Sequence, residues 1–325
     1  MIPLADIEAA AERLRGRVHH TPLLPSATLG AAAGVRLSLK CECFQKTGSF
    51  KPRGALNKVL SLSDAERARG LITVSAGNHA QAVAWAAREV EAPCAVVMPT
   101  GAPRSKLDAV RGYGAEVILH DDRTTLFDRL HEVQEARGMT FIHPFDDPVV
   151  LTGAGTVGLE IVRDCPDVEV VVVPAGGGGL LGGVTSAVRQ LKPDARVIAV
   201  ELAGGPGFGP SLAAGKPIPV PRPETLADGM TPPFVGALPL EIVREAVAAI
   251  VTVTEEEIME AMRMLVTRAK LYVEGAGAAA TAALIAGKVP APPGTRVVAM
   301  VSGGNIDAER LFDVFDRPAV AGGAR

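Results

Sequence analysis

VVVVPAGGGGLLGG, Val170 to Gly183, is the stretch on which the fold turns. It lies inside an uncharged run, Val170 to Val188, that reaches membrane-spanning length. Six glycines and Pro174 interrupt that run, which suits a strand, a turn and a helix rather than a membrane helix. The four consecutive glycines, Gly176 to Gly179, leave main-chain N–H groups unshielded before a helix that opens near Leu180. Such N–H groups, with the positive end of a helix dipole behind them, make a cradle for phosphate. A second reading fits the same residues. Gly177, Gly179 and Gly182 have the G-x-G-x-x-G spacing of a dinucleotide site, and Glu201 ends the next strand about where a ribose-binding acid belongs. A nicotinamide-dependent dehydrogenase is therefore an alternative, although four glycines in a row exceed what that turn needs.

The pattern around this stretch is strand–helix alternation. Leu71–Val74, Ala95–Met98, Glu116–Leu119, Val168–Val173, Arg196–Val200 and Arg296–Val301 read as buried strands. Gln81–Arg88, Ser105–Arg111, Thr125–Arg137, Leu180–Leu191 and Glu255–Ala269 read as helices. The alternation predicts an α/β protein with parallel sheet covered on both faces. The 325 residues allow two domains or one large unit, and 48% hydrophobic residues supply a sizeable core. Aromatics are only 4% and the formal charge is −3, so neither base stacking nor a basic surplus points to nucleic acid. The N-terminus, Met1 to Arg17, has no apolar signal core. Cys41 and Cys43 have no second pair to complete a zinc site. With Cys94 and Cys165 they read as free thiols of a reducing, cytoplasmic compartment.

In sheets of this kind ligands bind at the carboxyl ends of strands. Beyond the glycine loop, two further strand ends carry unusual chemistry. Ser75-Ala76-Gly77-Asn78-His79 follows one strand, and Asn78 is a good N-cap for the helix after it. That helix start can also hold a carboxylate. His79 by itself reads as structural. Ser302 ends the last strand before Gly303-Gly304-Asn305, either as a turn cap or with its hydroxyl facing a bound ring. A fourth stretch, QKTGSFKPRGALNK (Gln45 to Lys58), places Lys51 immediately before Pro52 at a helix entrance. The plain alternative is a surface lysine.

Six motifs, in this order, resemble the fold-type II pyridoxal-phosphate enzymes, and within them the threonine/serine dehydratases and serine racemases. They are TGSFKPRGA (Thr47–Ala55), SAGNHAQ (Ser75–Gln81), IHPFDDP (Ile142–Pro148), PAGGGGL (Pro174–Leu180), TLADG (Thr225–Gly229) and SGGNID (Ser302–Asp307). The resemblance implies two domains, each with a mainly parallel sheet: 1–60 with 146–325 as a large cofactor-binding unit, and 61–145 as a small one. It implies pyridoxal 5'-phosphate held as a Schiff base on Lys51, with Phe50 against the ring. Gly176, Gly177, Gly178, Gly179 and Leu180 would hold the phosphate. Asn78, Glu274 and Ser302 would surround the ring. Ser75, Ala76, Gly77, Asn78, His79 and Phe145 would receive the substrate.

The reaction so implied is β-elimination of L-threonine or L-serine to a 2-keto acid and ammonia. Dehydration of a bulkier β-hydroxy amino acid and serine racemisation are the near alternatives. Racemases of the family carry a serine where this chain has Ala76, and Phe145 resembles the dehydratases. Members with a regulatory cation use acids where this chain has Gly205 and Gly207; Glu201 alone remains, so no strong divalent site is expected. Cys43, Phe44 and Ala154 also depart from common family residues, and Glu274 lacks the Pro that often follows it. Relatives are dimers or tetramers, so a homo-oligomer is expected. With the sequence ending soon after SGGNID, a C-terminal regulatory domain like that of biosynthetic threonine deaminases is not expected.

Overall fold

The computed structural model describes residues 1–316. The strands are β1 (Leu23–Pro25), β2 (Arg36–Cys41), β3 (Leu71–Val74), β4 (Cys94–Pro99), β5 (Glu116–His120), β6 (Thr140–Phe141), β7 (Val170–Pro174), β8 (Arg196–Leu202), β9 (Ala249–Val253) and β10 (Arg296–Val301). They form a larger sheet in the order β1-β2-β10-β7-β8-β9 and a smaller one in the order β5-β4-β3-β6. Every pairing is parallel except β1 on β2. The expected α/β class, with mainly parallel sheets under helices, is the class found. The six expected strands are all present. β1, β2, β6 and β9 are additional to them.

Burial on both faces explains the β-branched runs. Along β7, Val170 and Val172 join a cluster with Leu39, Ile198 and Ala279, while Val171 and Val173 join another with Leu181, Val184 and Met300. Side chains that alternate across a strand thus meet apolar helices on either side. No helix of the described residues is long and apolar enough to cross a membrane. The uncharged run from Val170 to Val188 divides into β7, the glycine loop and the Gly179–Leu191 helix.

Helices approach one another closely at small residues. A Cβ at Gly183 would lie 2.4 Å from the Leu151 carbonyl oxygen, so the Gly179–Leu191 and Pro148–Asp164 helices touch along their backbones. The Lys51–Ser61 helix packs on the Pro148–Asp164 helix and on the Asn78–Glu89 helix, so it links the two sheets' coverings. The expected Glu255–Ala269 helix is α-helical only through Met264. Leu265–Ala269 is a π turn, and Lys270 ends it in the left-handed region at φ 61°. The strands of the small sheet all lie between Leu71 and Phe141. The final residues of the expected large unit, 317–325, lie outside the described ones.

β2, β10 and β7 are parallel neighbours, so their carboxyl ends lie on one edge of the large sheet. The Lys51 stretch, Ser302 and the glycine loop leave that edge side by side. β3 brings the Ser75–His79 turn to them from the small sheet.

Candidate active site

Lys51 is mounted by its neighbours. Thr47 and Gly48 make a left-handed turn, at φ 58° and 74°. Glycine is required at the second position because a Cβ there would lie 2.6 Å from Asn305 Oδ1. Ser49 then bridges Gly303, and the Phe50 N–H donates to the Ser302 carbonyl at 3.1 Å. Pro52 in the first turn of the Lys51–Ser61 helix gives up an N–H that a helix start does not use. The Lys51 side chain is part-buried. Its Nζ donates to the Pro144 carbonyl at 2.8 Å and lies 5.2 Å from the centre of the Phe50 ring. Burial lowers its pKa to about 8, because the charged form loses solvation. About a tenth of the amine is then neutral at pH 7, against well under ~0.1% for an ordinary lysine, and the neutral form is the one a nucleophile or base needs.

The glycine loop has no space for side chains. A Cβ at Gly177 would sit 2.3 Å from the Phe145 ring, and one at Gly178 would sit 2.4 Å from Pro239. Gly178 is also at φ 97°, and the helix begins at Gly179, one residue before the expected Leu180. The Gly177 carbonyl accepts the Gly236 N–H at 3.0 Å, which fixes the loop. Leu180 is buried. The first N–H groups of that helix have no helical carbonyl one turn back to bond, so they are free to meet a ligand's phosphate. Phe145 lies beneath this loop, with ring centres 5.5 Å from Phe234 and 4.8 Å from His143.

The Ser75–His79 turn comes to the same place. Ser75 Oγ accepts the Gly77 N–H at 3.1 Å, and a Cβ at Gly77 would meet open space. Ala76 is half-buried. The expectation that Asn78 caps its helix is corrected: Gly77 holds the cap position and Asn78 is the first helical residue. The amide has other partners. Asn78 Nδ2 donates to Glu274 Oε1 at 2.7 Å, and Asn78 Oδ1 accepts from Asn305 Nδ2 at 2.8 Å. His79 turns inward. Its Nε2 meets the Ile142 carbonyl at 3.0 Å, and burial, then the Lys51 charge, hold its pKa well below the usual histidine value.

Glu274 is buried, and burial followed by repulsion from Asp228 raises its carboxyl to about 7, against the Asn78 hydrogen bond. Ser302 is buried at the end of β10, with its hydroxyl donating to the Ala276 carbonyl at 3.3 Å. Asn305, which also donates to the Thr47 carbonyl at 2.7 Å, joins three of the motifs through one amide. Its sequence signal was the Asn inside SGGNID, where only Ser302 was singled out. Pro144 and His143 likewise lie within IHPFDDP, where only Phe145 was singled out.

Glu201 stands apart from this group. Its carboxylate accepts the N–H groups of Gly207, Phe208 and Gly209 at 2.6, 2.7 and 3.4 Å, at the start of the Phe208–Ala214 helix. Burial raises its pKa against those bonds. An acid so engaged is not presented to a ribose. The dinucleotide reading of Gly177, Gly179 and Gly182 loses its second element.

A lysine of lowered pKa, a side-chain-free phosphate cradle and a neutral hydroxyl on adjacent strand ends suit pyridoxal phosphate, which carries an aldehyde, a phosphate and a ring nitrogen. Comparison with known proteins agrees. Residues 14–303 match the family model described as pyridoxal-phosphate dependent enzyme. The chain is 44% identical over 329 residues to the L-threonine ammonia-lyase of Thermotoga maritima, covering all of this chain and 81% of that one. It is 43% identical to the catabolic L-threonine dehydratase of Escherichia coli, over 96% of each. Among solved structures, maize serine racemase superposes with a TM-score of 0.91 at 36% identity, over 96% of each chain. The dehydrogenase alternative is overturned by these matches, and the chain belongs to the pyridoxal-phosphate dependent enzymes.

Proposed function

We propose that the protein is an L-threonine ammonia-lyase that also accepts L-serine, converting them to a 2-keto acid and ammonia. The observation that carries this reading is the placement of the Lys51 amine, 2.8 Å from the carbonyl of Pro144, whose neighbour Phe145 packs against the glycine cradle. Pyridoxal phosphate supplies an aldehyde for amine linkage and a ring that withdraws electrons from the substrate α-carbon. The protein supplies position and proton transfer.

Lys51 would hold the cofactor through its amine, and as a free neutral amine it would take the α-proton of the substrate. Gly176 to Gly179 and Leu180 hold the phosphate with main-chain N–H groups and the helix dipole. Phe50 would lie against the cofactor ring. Asn78, itself oriented by Glu274 and Asn305, serves the ring hydroxyl. Ser302 serves the ring nitrogen, and a hydroxyl there favours the neutral ring more than a carboxylate would. The Ser75–His79 turn receives the substrate carboxylate at a helix start. Phe145 acts from beneath the glycine loop, which it supports. The substrate loses its α-hydrogen and β-hydroxyl, and water then releases ammonia from the remaining enamine. At Ala76 there is no group to carry a proton, which favours elimination over racemisation.

The large unit, 1–60 with 146–325, and the small unit, 61–145, are read as separate bodies with the site between them. The cross-links Asn78–Glu274 and Lys106–Asp228 support that reading. The family resemblance supports a homo-oligomer, which light scattering would check. The four free cysteines support a reducing, cytoplasmic setting. The deciding experiment is a keto-acid assay over a panel of β-hydroxy amino acids with wild type and Lys51→Ala. Turnover of threonine that disappears with Lys51 supports the proposal. Substantial turnover by Lys51→Ala defeats it.

A further inference from the structure

Ile142 to Asp147 crosses between the two sheets with its polar groups engaged. The Ile142 carbonyl accepts from Thr73 Oγ1 at 2.9 Å and meets His79 Nε2 at 3.0 Å. The Asp146 carboxylate accepts the N–H groups of Ala237 and Leu238 at 3.0 and 3.1 Å. Asp147 caps the Pro148–Asp164 helix through the Val149 N–H and pairs with Lys58 at 2.7 Å. In the middle of this strap, the Pro144 carbonyl receives the Lys51 amine at 2.8 Å.

His143 gives the strap its shape. Its Nδ1 accepts two main-chain N–H groups, Phe145 at 3.2 Å and Asp146 at 2.9 Å. A nitrogen that accepts must carry no proton, so the ring is neutral with its proton on Nε2. Phe141 and Phe145 flank the ring, at 5.3 and 4.8 Å between centres, and hold its orientation. Proline fixes one backbone torsion of Pro144, and the His143 bonds fix the two residues after it. The direction of the Pro144 carbonyl is thereby set. Lysine needs such a guide because its four-carbon stem has many rotamers. A neutral amine that donates one N–H to a carbonyl keeps its lone pair on the other side of the nitrogen.

We propose that His143 is a positioning residue for the elimination: it fixes the turn whose Pro144 carbonyl receives the Lys51 amine whenever that amine is not linked to the cofactor. This rests on Lys51 being the base. The titratable groups facing the amine are His79 and His143, and those facing His143 are Lys51, Asp146, Asp147 and His79. Burial first, and the Lys51 charge, lower His143 to about 4 against the pull of the two aspartates, so the ring stays neutral over the working range.

The test compares His143→Phe, which keeps ring packing and loses the acceptor, with His143→Asn. The Asn oxygen can accept N–H groups two and three residues on, as in an Asx turn. Two measurements are made. One is turnover of threonine and α-deuterated threonine by the holoenzyme. The other is the pH midpoint for labelling of Lys51 by trinitrobenzenesulfonate in the cofactor-free full chain, with its fold checked by circular dichroism. For His143→Phe, kcat should fall about 10- to 100-fold with KM little changed, since a misplacement of about 1 Å costs on that order.

The deuterium effect should grow, because proton removal becomes slower than the other steps. The labelling midpoint should fall, because a lost carbonyl no longer favours the ammonium form. His143→Asn should recover both. An unchanged deuterium effect, an unchanged or raised midpoint, or no recovery with Asn overturns the proposal. If His143→Phe does not fold, His143→Leu takes its place under the same criteria. Lys51→Ala that retains turnover would defeat the functional reading instead, while the labelling midpoint still reports on His143.

Discussion

Ala76 and Glu274 are where single side chains are most easily interrogated. Ala76→Ser puts a hydroxyl on the turn proposed to receive the substrate. It should raise the ratio of serine racemisation to elimination, by at most the ~10²–10⁴ typical of one positioned acid–base group. Chiral chromatography of serine after incubation reads the ratio, and efficient racemisation by the wild type would contradict the role given to Ala76.

Glu274 bears on stability. Its folded value of about 7 exceeds the ordinary 4.5, so between them the unfolded chain loses a proton that the folded chain keeps. Its contribution to stability therefore falls as pH rises through that window, and the deficit is complete above it. Glu274→Gln keeps an acceptor for Asn78 and cannot ionise. It should gain stability over wild type between about pH 5 and about pH 8, by up to roughly 3 kcal/mol. Urea denaturation at the two pH values checks this, and a pH-independent difference would refute it. Lys51, Ser302 and the glycines were legible because each stands at a strand end or helix start. The Lys51–Pro144 bond was not, since it joins groups 93 residues apart and one of them is a carbonyl that every residue possesses.

Among the elements, the loop from Gly176 to Gly179 shows how little its backbone can tolerate. Gly178→Ala would need a left-handed alanine and a Cβ 2.4 Å from Pro239. It should weaken cofactor binding at least about tenfold, the equivalent of about 1.4 kcal/mol, given that a strained φ costs about 1–3 kcal/mol. Titration of the cofactor's visible absorbance measures it, and an unchanged affinity would place the phosphate elsewhere. The interior strands were legible because burial on both faces selects β-branched runs. The Gly275–Ile285 helix was not, because Gly275 through Leu284 are all buried and no polar face gives a period. β2 alternates polar and apolar residues over a short span, and β1 and β6 are shorter still. The edge strand β9 carries its β-branched signal openly, yet it lay outside the expected set.

Over the whole molecule, a buried ion network ties distant parts of the large sheet's surroundings together. Arg53 is 1% exposed and bonds Glu42 at 2.8 Å and Glu160 at 2.6 Å, while buried Lys40 reaches Glu160 at 2.6 Å. These residues join the end of β2, the Lys51–Ser61 helix and the Pro148–Asp164 helix. Arg53→Ala would leave Glu42 buried without its cation, and should cost about 3–5 kcal/mol. Denaturant titration measures the loss, and a change below about 1 kcal/mol would show that the network relaxes freely. Sequence could not pair these charges, since Arg53 and Glu160 are 107 residues apart and only the fold brings them together.

Glu201 carries a consequence for any redesign of its corner of the molecule. Its oxygens are spent on three amides, a Cβ at Gly205 would lie 2.6 Å from the Pro221 carbonyl, and a Cβ at Gly207 would lie 2.7 Å from Val235. Acids introduced at those glycines would meet occupied space before they met an ion. Building a cation site at this corner would mean remaking a helix start and two packed neighbours together. The glycines are therefore held in place by what packs against them: one acid added alone would unseat its neighbours before it gained a ligand.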